Sequence, residues 1–157
     1  MFELIAFTLL TFGTFVSNGV QAYIHFEAYP LLPLVGKSEF PAYLKAYESR
    51  LTVPLILPYV VTLLANLILI FTRPAHLPLI LVIVAFVLNL AVSVVTVMLA
   101  TPIYNRIKQN GQALPDDMSQ LMRVNLLRLI LSTVSSIVVI VMQFWLYITL
   151  VMALLPG

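Results

Sequence analysis

Four long apolar runs divide the chain: Leu4–Phe26, Thr52–Phe71, Leu77–Ala100 and Leu126–Leu155. Each has about 20 residues or more, the length at which a helix crosses a hydrocarbon core of ~30 Å. The runs are not uniformly apolar, and their polar residues fall at helical intervals. In the fourth, Asn125, Arg128, Ser132, Ser136 and Gln143 recur at three, four, four and seven. In the first, Gly13, Ser17, Gln21 and His25 recur at four. The third carries Asn89, Ser93 and Thr96, with Thr101 and Asn105 beyond, and the second carries Tyr59, Thr62 and Asn66. A polar group facing lipid costs several kcal/mol, so the stripes are expected to face one another inside an all-α, integral membrane four-helix bundle. Serine, threonine and glycine on such faces commonly serve close packing alone. His25, Asn125 and Arg128 cost more to bury and require named partners.

The connections add detail. The short Thr72–His76 link makes the second and third spans antiparallel neighbours. In "SEFPAYLKAYESRL", Phe40, Tyr43, Leu44, Tyr47 and Leu51 fit one face of an amphipathic helix, with Ser38 as N-cap and Pro41 in the first turn. That helix is expected to lie on the membrane interface with Lys45 and Arg50 toward headgroups. In "NRIKQNGQALPDDMSQ", Asn110-Gly111 predicts a turn and Pro115-Asp116-Asp117 a helix start.

Composition agrees with the pattern: 157 residues, 62% hydrophobic and 9% charged, with a mean hydropathy of +1.08. A soluble domain would carry roughly 25% charged residues. One transmembrane domain, residues 1–157, accounts for the chain. The start "MFELIAF" has an acid and no base, unlike a signal peptide, so the first span is expected to persist in the mature protein. Cysteine is absent, which excludes thiol–disulfide chemistry and iron–sulfur ligation. Seven of the eight basic residues fall in or beside the two longer loops, and only Arg73 lies opposite. The positive-inside rule then puts both loops in the cytoplasm and both termini outside, in a bacterial inner membrane. No soluble part exists to hold a basic patch, so nucleic acid is not a partner; the lipid bilayer is.

With that topology, His25, Gln21, Tyr59, Asn105, Asn125 and Arg128 come to one depth near the cytoplasmic face, with Glu27, Tyr29 and Glu48 at its rim. Arg128 centres the layer, because a guanidinium keeps its charge and needs a carboxylate or several carbonyls. Glu27 and Glu48 are the candidates. Otherwise Glu27 is a solvated rim charge and His25 a satisfied interior histidine. No metal or other cofactor is expected: His25 and His76 fall on opposite faces of the membrane, and His25 with Glu27, two apart on a helix, is a poor chelate.

"ATPIYNRI", Ala100 to Ile107, followed by "NLLR", Asn125 to Arg128, resembles the pattern that closes the third helix and opens the fourth in the anthrone oxygenase-like membrane proteins. "AYP", Ala28 to Pro30, fits the proline that follows their first helix. Tyr29-Pro30, Phe40, Tyr43 and Arg50 are similar to a pattern in uncharacterised bacterial four-helix membrane proteins. The chain departs from the family pattern at Tyr47, where a histidine is expected, and at Leu121, Leu126 and Leu127, where an aromatic is. The resemblance implies cofactor-independent oxygenation of a polyketide anthrone, or handling of a similar flat hydrophobic molecule, with Pro102, Asn105, Asn125 and Arg128 lining the site.

Two function classes follow. In one, the polar layer holds a hydrophobic small molecule, with His25, Asn125 and Arg128 as candidate catalytic residues and Gln21, Glu27, Tyr29, Tyr59, Pro102 and Asn105 as candidate ligand-binding residues. In the other, the protein is a non-catalytic accessory subunit, packed against other membrane subunits or further copies of itself. A channel is disfavoured, since no ring of like charges occurs. The charged second-helix pattern of the trimeric glutathione enzymes is missing, because nothing between Leu51 and Arg73 is charged.

Overall fold

A computed structural model describes residues 2–154, and the expected end of the fourth span at Leu155 lies outside them. Four helices carry the chain: α1 (Phe2–Leu34), α2 (Phe40–Thr72), α3 (Leu79–Asn110) and α4 (Pro115–Leu154), each long and apolar enough to cross a membrane. No strand occurs among the described residues. They form an all-α, antiparallel four-helix bundle in which each helix packs on two neighbours and α4 closes the ring onto α1.

The apolar runs appear as helices that extend well past the predicted spans. The amphipathic segment after the first loop is not a separate interfacial helix. It is the first third of α2, which runs unbroken from Phe40. Pro41 sits in its first turn, where no N–H is needed, but Ser38 gives no cap and its hydroxyl donates to Glu39 instead. Phe40 and Leu44 are buried against the bundle, whereas Tyr43 turns outward and stacks on Tyr47. The second loop follows expectation. Gly111 takes the left-handed conformation at the α3 C-cap (φ 61°), and α4 starts at Pro115.

α1 and α3 each contain one wide π-turn, at Ile24–Ala28 and Thr96–Ala100. Both have the same setting. A proline stands two residues after each turn, Pro30 and Pro102. A proline has no N–H for the carbonyl four residues back, and its ring crowds that carbonyl. Widening the preceding turn is one way to relieve the clash; Pro54 and Pro58 sit inside α2 without it. The residue between turn and proline closes it: the Tyr29 N–H donates to Ile24 O, and the Thr101 N–H to Thr96 O. The Thr101 hydroxyl donates to that same Thr96 carbonyl at 3.0 Å.

The interior has three layers. At the end carrying the chain termini, Phe7, Leu10, Leu69, Val82, Val139 and Met142 form an apolar core. At the end carrying the longer loops, Ile24, Leu32, Phe40, Ile107 and Leu121 form another. Between them runs a polar layer in which Thr62, Asn66, Asn89, Asn125, Arg128, Ser132 and Ser136 from the expected stripes are all buried, joined by Ser135. Asn66 bridges Val82 O and Phe86 N at 3.2 and 3.0 Å. The Tyr59 hydroxyl donates to Asn89 O and shares a hydrogen bond with Ser93, tying α2 to α3. Gly13 admits the close approach of α1 and α2: a Cβ there would collide with Thr62 Oγ1 and lie 2.9 Å from Pro58 O.

Candidate functional site

Arg128 lies one turn before Ser132 and three residues after Asn125 on the inward face of α4, and only 4% of it is exposed. It makes no salt bridge. The two ion pairs among the described residues are Arg106–Asp117 at 3.1 Å and Lys108–Glu48 at 3.0 Å. Glu48, expected as a partner of Arg128, is thus held by Lys108 from α3. Glu27, the other candidate, is exposed and unpaired. Gln21, Tyr29 and Tyr59 share cavity lining with Arg128, but no carboxylate pairs with it. The Arg128 Nε has no hydrogen-bond partner, and its guanidinium lies beside the Tyr29 hydroxyl.

Two adjoining cavities meet at Arg128. The larger, about 230 Å³, is walled by Ile24, Tyr29, Tyr47, Leu55, Ala100 and Tyr104, with Glu48 at its edge. The smaller, about 150 Å³, is walled by Ser17, Gln21, Tyr59, Val92 and Ser93. Leu55, Ile56, Thr96 and Arg128 border both. Five lining residues carry a buried polar atom without a partner: Ser17 Oγ, Gln21 Oε1, Tyr47 Oη, Tyr104 Oη and Arg128 Nε. Buried polar groups are normally paired, since leaving one unpaired costs about 1–3 kcal/mol. Five such atoms fall in the lining of this one pair of cavities.

Both π-turns border this space through Ile24, Thr96 and Ala100. Such turns recur at functional sites because they shift the helix register locally and open the backbone. α2 packs on the Leu79–Val95 stretch of α3 and draws away from the stretch beyond it. The seam between them is bridged by Tyr59 with Ser93 on one side of the cavities and by Glu48 with Lys108 on the other. Ile56 and Val97, lining the gap between these bridges, are 52% and 67% exposed.

Of the nine candidate residues, the structure brings Gln21, Tyr29, Tyr59 and Arg128 to the cavities. Asn125 is buried behind them, its side-chain amide reaching Gln21 O at 3.5 Å. His25 lines neither cavity; its ring packs edge-on against Phe26 and its Nδ1 is unpartnered. Glu27, Pro102 and Asn105 are exposed and also outside the lining. For Asn105 the reason is the register past the π-turn, which turns Ile103 and Ile107 inward instead. Pro102 follows that turn and offers the Met98 carbonyl no N–H.

Tyr104 was not singled out by sequence reasoning, although the i, i+4, i+8 series Thr96, Ala100, Tyr104 carried the signal. Tyr47 falls on the apolar face of its segment, yet it lines the larger cavity and its hydroxyl is buried without a partner. Compared with family models, curated proteins and solved structures, the chain matches none.

Proposed function

We propose that this protein holds a hydrophobic small molecule in the paired cavities beside Arg128, between helices that span a bacterial inner membrane. One observation carries this: a fully charged side chain, 4% exposed, borders both clefts without an ion-pair partner. A charge so placed in a bilayer marks a functional site by default. The walls are otherwise apolar or phenolic, as small-molecule sites usually are, with few polar groups to fix orientation. Seven of eight basic residues on the loop side support an orientation with the cavities toward the cytoplasm and both termini outside.

Oxygenation, implied by the resemblance to anthrone oxygenase-like proteins, calls for a base to take a proton from the ligand. His25 lies outside the lining, so the geometry supports holding a ligand more directly than transforming one. A density map of the purified protein tests the reading, together with lipid extracts of the unaltered protein and of Leu55→Trp, which fills the junction of the two cavities. Ligand density beside Arg128, and a compound that co-purifies with the parent but not with the variant, is the expected result. Empty cavities with a second chain packed against the bundle would make the protein an accessory subunit instead.

A further inference from the structure

Arg128 retains its charge at any accessible pH, so the site needs a negative charge from somewhere. Among the described residues, the only carboxylate lining either cavity is Glu48, and Lys108 Nζ holds both of its oxygens at 3.0 Å. The other unpartnered groups nearby include three hydroxyls, Ser17, Tyr47 and Tyr104, all able to donate. A planar fork in a lining that also carries hydroxyl donors is the chemistry that receives an oxyanion. Leading away from this point, Leu51, Leu55, Ile56 and Ala100 form an apolar wall that continues into the gap between α2 and α3. That gap opens on the exposed Ile56 and Val97, on the side where lipid chains would lie.

We propose that the occupant is a single-chain amphiphile with a small anionic head, taken from the bilayer through the seam between α2 and α3 and held head-first against Arg128. This rests on the cavity reading above and names its ligand class. The cavities receive the head and the first methylenes, while the rest of the chain lies in the seam. The head is a carboxylate or a phosphate monoester, two groups that present the same oxygens to a guanidinium.

The test is equilibrium binding of radiolabelled hexadecanoate, hexadecyl phosphate and hexadecanol to the full chain in neutral detergent, at alkaline pH where the acid is ionised. One or both anions should bind roughly ten- to a hundredfold tighter than the alcohol, the worth of one charge-assisted hydrogen-bond set. Arg128→Gln should abolish the difference. If that variant does not fold, the head-group series on the unaltered protein decides alone, and the better anion names the head. Equal binding of all three overturns the anionic head but leaves the cavity reading standing; binding of none overturns both. For the route, the chain has no cysteine of its own, so a bis-maleimide staple between Thr52→Cys and Thr101→Cys should slow uptake from vesicles severalfold. Unchanged uptake overturns the seam as entrance.

Discussion

Glu48 and Arg128 border the same cavity, yet Glu48 is bonded to Lys108 through both carboxylate oxygens, and the guanidinium is left with no counter-ion among the described residues. Lys108 therefore does more than staple α2 to α3: it withholds the one carboxylate in the lining. Its own side chain is 57% exposed, so the pair itself contributes under about 1 kcal/mol to stability. Lys108→Met should leave the melting temperature nearly unchanged but free Glu48 to compete for Arg128, weakening hexadecanoate binding severalfold. Adding Glu48→Gln should restore it. Binding unaffected by Lys108→Met would show that Glu48 cannot reach the guanidinium.

The unpaired state of Arg128 reverses the usual expectation for a buried charge. Breaking a buried ion pair costs about 3–5 kcal/mol because a partner is stranded. Here removal strands no carboxylate. Arg128→Leu in delipidated protein should melt at or above the parent temperature, with relief on the order of 1–3 kcal/mol. The rise in melting temperature that hexadecanoate gives the parent should vanish in the variant. A large loss of stability in Arg128→Leu would mean the guanidinium has partners that the geometry does not reveal.

Pro102 separates helix stability from cavity shape. Pro102→Ala supplies an N–H for the Met98 carbonyl and removes the ring clash, so the Thr96–Ala100 turn is free to revert to regular α-helix. Stability should rise by ~1 kcal/mol while ligand affinity falls at least tenfold, because Thr96 and Ala100 shift away from the lining. Calorimetric melting and binding measured on one preparation check both signs. Unchanged affinity would show that the wide turn is incidental to the site.

Gly13 and Gly19 lie on the same helix and make opposite predictions. A methyl at Gly13 meets Thr62 Oγ1 and the Pro58 carbonyl, and α2 backbone cannot easily retreat. Gly13→Ala should cost about 1–3 kcal/mol, as overpacking does. Gly19 has open space around it, so Gly19→Ala should be neutral or gain up to about 1 kcal/mol from helix propensity. Equal melting of the two variants would mean that α1 and α2 are less closely apposed than this.

Tyr59 should act as the latch at one end of the seam. Tyr59→Phe loses its hydrogen bonds to Asn89 O and Ser93, costing about 1 kcal/mol. Ser93→Ala added to it should cost little more, because both changes remove one shared interaction. A fully additive double variant would show that Ser93 has another role.

Much of the bundle was legible in the chain because its causes are local or periodic. Runs of apolar residues longer than a bilayer, polar residues every three or four positions, Asn110-Gly111 and Pro115-Asp116-Asp117 give four helices, their inward faces and one loop without reference to any contact. Pro30 and Pro102 each follow a wide turn, but Pro54 and Pro58 follow none, so a proline in the sequence does not by itself place such a turn. What the order of residues left open is pairing across helices. Asn105 stands beside the inward-facing positions in sequence, but the wide turn rotates it out. The order of residues leaves both Glu48 and Glu27 as candidates for Arg128, but Lys108, sixty residues away from Glu48 in sequence, holds the first, and the second is exposed. Which charge meets which is fixed by distances of a few ångströms between helices remote in the chain. Helical periodicity sets the face a residue occupies, and only packing sets what stands opposite it.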